Sequence, residues 1–167
     1  MYARSIMLVL IAAFAVCGCN RKPRINGELD TLDVCALVTT AEADRVIGPA
    51  NNASTAAAHE PGFAGACDWP FSRNEAPARL SAWVMTKASA SNLVTTPTRW
   101  FNNETRLAEA RANLGDPARI RGIGDAAFLY GTILFARQGE TVLIVRTDRG
   151  DAAQIEDFAR LLFSPKK

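Results

Sequence analysis

The stretch RGIGDAAFLYGTILFARQGETVLIVRTDRGD, residues 121–151, decides the fold. It contains three short apolar runs that are joined by tight turns at residues 130–131 and 138–139. Short runs rich in β-branched and aromatic residues, separated by glycine turns, are typical of antiparallel strands connected as hairpins. Residues 142–145 are uninterrupted apolar residues, which predicts that the last of these strands lies in the centre of a sheet.

Two further strands are predicted upstream of this stretch. The segments CDWPFS, residues 67–72, and ARLSAWVMTK, residues 78–87, both have strand character, and the second alternates apolar with polar or bulkier side chains. Pro70 predicts that the first of them lies at an edge or ends there, because proline cannot donate a ladder hydrogen bond.

Three stretches have the caps and the apolar periodicity of helices. Thr39 and Glu42 form a capping-box pattern at the start of the first helix. A second helix is predicted to begin at Pro97 and to run without a break to Gly115, and a third begins near Asp151. The predicted order is α-ββ-α-βββ-α, an antiparallel sheet flanked by helices in the α+β class.

The N-terminus has the pattern of an export signal. Residues 6–16 form an apolar run that is too short to cross a bilayer core of about 30 Å. The sequence VCGC at 16–19 resembles a bacterial lipobox, so residues 1–18 are predicted to be a lipoprotein signal peptide and Cys19 the lipidated first residue of the mature chain. The alternative is an ordinary cleaved secretory signal. Asn20 at the next position would direct such a lipoprotein to the outer membrane of a Gram-negative host.

The remaining chain is predicted to form a tether and one domain. Residues 19–31 mix charges with Pro and Gly and lack apolar periodicity, which is typical of a lipidated tether, and residues 32–165 have the length of a single globular domain. The whole chain has 19 Lys and Arg against 17 Asp and Glu, a net charge of +2. Because these charges are scattered and nearly balanced, nucleic acid is not a predicted partner.

Cys35 and Cys67 are the two cysteines of the predicted domain. In an exported protein disulfides persist, and two thiols allow one pairing. Closing a loop of about 33 residues would contribute roughly 3.7 kcal/mol through the entropy of the unfolded chain. A competing interpretation makes Cys67 a nucleophile assisted by His59, the only histidine, but no third group is evident that would orient the pair.

No other pattern of established chemistry is present in the sequence. The Gly-x-Gly of GIGDAAF, residues 122–128, is followed by a predicted strand, whereas a phosphate cradle needs the N-terminus of a helix, so a turn is predicted there. No catalytic residue, metal site or cofactor is therefore predicted. Asp68, Asp125 and His59 are the candidate residues of an enzyme hypothesis.

Trp83 and Trp100 are the candidate residues of a ligand groove. If they are exposed, these side chains would suit an apolar groove. The alternative is that they pack in the core, as large aromatic side chains usually do. Their burial decides between the two interpretations.

Three motifs occur in a characteristic order: DVCALVTTAEADRVIG at 33–48, ACDW at 66–69, and GIGDAAFLYG at 122–131, which leads into two strands and a closing helix. This arrangement resembles the bacterial lipoproteins of unknown function that carry a DUF3558-type domain, over residues 31–163. The resemblance implies a lipid anchor, a disulfide between the two domain cysteines and a fold related to the Mog1/PsbP-like group. It implies no catalytic residues.

Two functions from different classes follow from these observations. The first is an outer-membrane-anchored periplasmic lipoprotein without catalytic activity, whose partners are the membrane, through Cys19, and another envelope component bound by the sheet face or by the loop at residues 50–66. The second is an immunity or inhibitor lipoprotein that neutralises an envelope-targeting toxin or hydrolase. The second hypothesis predicts a toxin gene beside its own.

Overall fold

The structure is a computed structural model that describes residues 24–25, 27–50, 52–91, 93 and 95–164. The predicted signal peptide, residues 1–18, and the predicted lipidation site Cys19 lie outside the described residues. Those two expectations therefore stay predictions.

The described residues form one seven-stranded antiparallel sheet with helices packed on it. The strands are β1 (Thr55–Ala56), β2 (Gly65–Arg73), β3 (Ala76–Met85), β4 (Ala118–Arg119), β5 (Ala126–Tyr130), β6 (Ile133–Gln138) and β7 (Thr141–Thr147). The helices are α1 (Thr40–Ile47), α2 (Lys87–Ser91), α3 (Pro97–Phe101), α4 (Glu104–Leu114) and α5 (Ala152–Phe163). The strand order is β1-β2-β3-β7-β6-β5-β4, so the predicted α+β class is confirmed.

The three strands of the C-terminal stretch form as the sequence predicts. Hairpins join β5 to β6 and β6 to β7, and Gly131 and Gly139 adopt φ values of 56° and 54° in the two turns, a conformation that favours glycine. Strand β7 lies fourth of seven in the sheet, which confirms its predicted central position. The Gly-x-Gly sequence lies in a loop that leads directly into β5, which confirms the strand predicted after it.

One face of the sheet, here called the helix-covered face, carries the main core. Alternate residues of β3, among them Leu80, Ala82 and Val84, point to this face and are fully buried. Helices α1 and α5 close it, and the Trp69 ring of β2 packs edge-on against Phe158 of α5 with a centroid distance of 4.7 Å. Burial of these side chains supplies most of the hydrophobic stabilisation of the domain.

Pro70 lies within a nine-residue strand rather than at its end. The edge strand β1 pairs only with Cys67 and Asp68, so it stops before it reaches Pro70. On the other side Pro70 pairs with Arg79 of β3. The prediction of an edge strand or a strand end was therefore wrong, since β2 is the second strand of the sheet; proline is tolerated there because β1 does not extend to Pro70.

The helix predicted to run unbroken from Pro97 to Gly115 is two helices. The side chain of Asn103 accepts a hydrogen bond from the backbone N–H of Arg106 at 2.9 Å and caps a new helix, α4. The sequence prediction was wrong on this point because the apolar periodicity continues across the break. Leu114, which the periodicity places on the buried side, is 38% exposed.

The described part of the predicted tether packs on the domain. Arg24 is buried and forms two charge-assisted hydrogen bonds to Glu42, the shorter at 2.6 Å, and a third to the carbonyl of Leu37 at 2.7 Å. Ile25 is buried in the core, and the carbonyl of Gly27 accepts a hydrogen bond from the N–H of Lys87 at 3.1 Å. Arg24 and Ile25 therefore pack with the domain although they lie in the segment predicted as a tether, because Arg24 finds a carboxylate that is distant in sequence.

The disulfide between Cys35 and Cys67 is present. The two sulfurs are 2.00 Å apart and the Cα atoms 5.1 Å apart. The bond joins the short 3-10 turn Cys35–Leu37, which precedes α1, to the buried strand β2. In this state Cys67 has no thiolate and cannot be the nucleophile of the competing interpretation.

Removing both sulfurs should destabilise the domain without changing its fold. The double substitution Cys35→Ala and Cys67→Ala is expected to lower the free energy of unfolding by about 3.7 kcal/mol, because a loop of some 33 residues is no longer closed in the unfolded chain. Urea denaturation of the domain measures the difference. Wild-type protein with its disulfide reduced should have the same free energy of unfolding as the variant. A decrease of less than about 1 kcal/mol would contradict a stabilising role of the disulfide.

Glu42 should make the stability of the domain depend on acid pH. The hydrogen bonds from Arg24 and, next, from the backbone of Thr39 lower the pKa of Glu42 from 4.5 to about 2. Because the pKa is depressed in the folded state, the ion pair stabilises the fold above about pH 4.5, and this contribution is lost as the pH falls towards 2. Glu42→Gln is expected to lose about 2 kcal/mol at neutral pH and to show a shallower acid dependence of unfolding.

The matched control is Glu104→Gln, which removes an exposed carboxylate from the first turn of α4. The measurement is the thermal unfolding of wild type, Glu42→Gln and Glu104→Gln at pH values from about 7 down to about 2, the range in which carboxylates titrate. Parallel pH profiles for wild type and Glu42→Gln would contradict the assignment of this dependence to Glu42.

Candidate functional site

Helix α3 covers one end of the second face of the sheet, which is here called the open face. Met85 of β3 and Val142 of β7 are cross-strand neighbours on this face and are fully buried. They share a cluster with Trp100 and Phe101 of α3, which close this end of the face. Among the described residues, the side chains one row further along β3, β7 and β6 are partly covered.

The next row of side chains is half-buried and forms the floor of a cavity. Trp83, Ile144 and Phe135 lie side by side on β3, β7 and β6, because the register pairs Trp83 with Ile144 and Ile144 with Phe135. The cavity above them has a volume of about 570 Å³. That size lies within the range of small-molecule sites, roughly 300 to 1,000 Å³.

The loop at residues 57–63 forms one wall of the cavity. The indole N–H of Trp83 donates to the carbonyl of Ala58 at 3.2 Å, which fastens the loop to the sheet. Phe63, at the end of the loop, packs edge-on against Trp100 with a centroid distance of 5.5 Å. The loop is therefore held at both ends by the two tryptophans.

Helices α3 and α4 form a second wall, which adjoins the loop at Phe63. The guanidinium of Arg106 lies over the Trp100 ring, with its central carbon 3.9 Å from the ring centroid, a cation–π geometry. Burial lowers the pKa of Arg106, while Glu60 and Glu109 act in the opposite direction. An arginine side chain stays protonated throughout the physiological range, so this wall presents a positive charge to the cavity.

The uncovered end of the open face is polar. Arg146, one row beyond Ile144 on β7, is exposed and lines the cavity. Beside it, the hydroxyl of Ser81 donates to Asp68, and Arg79 pairs with the same carboxylate at 3.4 Å. This polar cluster lines a second cavity of about 290 Å³, which shares Ala58, Trp83 and Arg146 with the first.

The residues of the enzyme hypothesis are not assembled into a catalytic arrangement. Asp125 accepts a hydrogen bond from the backbone N–H of Gly139 at 2.7 Å and holds the β6–β7 turn. Asp68 accepts directly from Ser81, whereas a catalytic triad would place an imidazole between carboxylate and hydroxyl. His59 lies on the exposed loop and lines the larger cavity. Within the described ranges, no three His, Cys, Asp or Glu side chains group as metal ligands.

The structure brings the two candidate groove residues to one cavity. Trp83 is half-buried, and Trp100 is 7% exposed and mainly packs in the second core cluster. Both interpretations of Trp100 are therefore partly right, since its ring is core on one side and cavity wall on the other. Ligand binding by Trp83 and Trp100 stays a prediction.

Four residues that line the cavity, Arg106, Phe135, Ile144 and Arg146, were not predicted as site residues. The strands that carry Phe135, Ile144 and Arg146 were predicted, as was a helix over Arg106, and the alternation places Ile144 and Arg146 on one face of β7. What was missing is the register between β3, β7 and β6, which decides that these side chains meet Trp83.

Comparisons with models of known protein families, with curated proteins and with solved structures found no match. The resemblance to the DUF3558-type lipoproteins and to the Mog1/PsbP-like fold therefore rests on the order of the sequence motifs and stays a prediction. In the part of the chain that the structure describes, no helix has both the length and the hydropathy to cross a membrane.

Proposed function

We propose that the protein is a lipid-anchored binding module of the bacterial cell envelope, attached through Cys19 and facing the periplasm from the outer membrane of a Gram-negative host. Its domain binds another envelope component on the open face of the sheet. The activity is recognition, without chemical conversion of the bound component.

The lipobox-like sequence at residues 16–19 supports the anchor. Several acyl chains on one cysteine hold a protein to a bilayer essentially permanently, because each buried CH₂ contributes about 0.8 kcal/mol. The Cys35–Cys67 disulfide supports an oxidising compartment, which agrees with export. In the described part of the segment after the anchor, Arg24 is fixed to Glu42, so only residues 20–23 separate a lipidated Cys19 from the packed domain.

The half-covered aromatic floor of the open face is the observation that carries the binding proposal. Trp83 and Phe135 retain exposed apolar surface between two fixed walls. Apolar surface that lines a concave site gains free energy when a ligand or partner displaces its water. The helix-covered face offers no comparable surface in the described structure, because α1 and α5 close it.

Photo-crosslinking in the intact envelope tests this function. A photoreactive amino acid at Ile133, on the rim of the cavity, is expected to give a discrete adduct, whereas the same group at Ala153, exposed on α5, is not. Cys19→Ser should release the protein from the membrane fraction and reduce the Ile133 adduct, because the domain is no longer held beside its partner.

Cys17→Ser is the matched control for the anchor, since this cysteine leaves with the predicted signal peptide and its loss should change neither fractionation nor adduct. Equal adducts from positions 133 and 153 would contradict binding by the open face. Membrane association that survives Cys19→Ser would contradict the anchor. An adduct with a hydrolase that is inhibited in the complex would favour the immunity or inhibitor function instead.

A further inference from the structure

The charges around the larger cavity are not balanced. Two arginines, Arg106 and Arg146, line it against a single carboxylate, Glu60. The walls of this cavity are therefore net positive around an aromatic floor, while Asp68 and Asp148 line the adjoining smaller cavity together with Arg146. Such a site favours a ligand that combines apolar surface with negative charge.

Arg146 has no partner for its charge among the described residues. Its guanidinium forms no ion pair or hydrogen bond with them, whereas the neighbouring Arg79 pairs with Asp68 at 3.4 Å. Arg106 likewise forms no salt bridge with a described residue and instead lies over Trp100. Five donors in a planar fork match carboxylate, sulfonate and phosphate groups.

The order of side chains along the open face separates the apolar and the charged parts of the site. Ile144 and Arg146 lie on the same face of β7, two residues apart, so the charge follows the apolar floor by one row, roughly 7 Å along the strand. A flat apolar group resting on Trp83 would place an attached anionic group beside Arg146.

We propose that the cavity binds a small amphipathic organic anion, with a flat or chain-like apolar body on Trp83, Ile144 and Phe135 and its acidic group at Arg146. This proposal rests on the binding function proposed above and names the chemical class of its ligand. Arg146 is the residue that discriminates anions from neutral molecules of the same shape, and the aromatic floor binds both.

Two probes with the same ring skeleton test this proposal: anilinonaphthalene sulfonate, which is an anion, and N-phenylnaphthylamine, which is neutral. Fluorescence titration of the mature protein is expected to show one site that binds the anion about tenfold more tightly, the size of effect that one charge-assisted contact provides. Arg146→Gln should weaken binding of the anion about tenfold and change binding of the neutral probe by less than about twofold.

Three further variants keep the test independent of folding defects. Arg45→Gln, on α1 at the other face of the sheet, should change neither affinity. Glu60→Gln removes the carboxylate of the cavity and should tighten the anion by about threefold, because a like charge is lost. Ala58→Trp fills the cavity from the exposed loop and should abolish binding of both probes. Circular dichroism confirms that each variant is folded.

Equal affinity for the two probes, or an equal effect of Arg146→Gln on both, would overturn the proposed ligand class. These results do not bear on binding by the open face, which the crosslinking experiment tests separately. Loss of anion binding as the protein concentration rises would mean that a second copy of the chain occupies the cavity. Failure of both probes to bind would mean that no small amphiphile enters it. Either of these last two results also overturns the proposal.

Discussion

The alternation of side chains along the strands is the constraint on which the rest of the structure depends. Each strand sends successive residues to opposite faces, so a sheet with apolar residues at consecutive positions of β7 has two faces to cover. In the described part of the chain, α1 and α5 cover one face, whereas α3 covers the other at the end that holds Met85 and Val142. The half-buried row beside them, with Trp83 at its centre, is a direct consequence.

Most of the fold could be predicted because its determinants are local. Thr39 and Glu42 specify the start of α1 within four residues, and the observed capping box has both reciprocal hydrogen bonds. Glycine turns and short apolar runs specify the β5–β6–β7 hairpins in the same way. The short strands β1 and β4 were not predicted, since two residues carry no periodicity.

The cavity could not be predicted because it depends on contacts between residues that are distant in sequence. Trp83 meets Ile144 only through the pairing of β3 with β7, and no local pattern specifies that register. The ion pair between Arg24 and Glu42 is of the same kind: the sequence around Arg24 has the composition of a tether, and only the folded domain supplies its carboxylate. The break at Asn103 is a different case, in which one capping side chain overrides a continuous periodicity.

Together these features describe a braced domain whose covered face provides stability and whose open face is available for recognition. The three tryptophans distinguish the two faces of the sheet, because Trp69 lies on the helix-covered face while Trp83 and Trp100 line the cavity of the open face. The most direct measurement is the NMR spectrum of the three indole N–H groups during titration with an extract of the native envelope. Binding at the open face predicts shifts for Trp83 and Trp100 and none for Trp69. Shifts confined to Trp69, or no shift at all, would contradict the account.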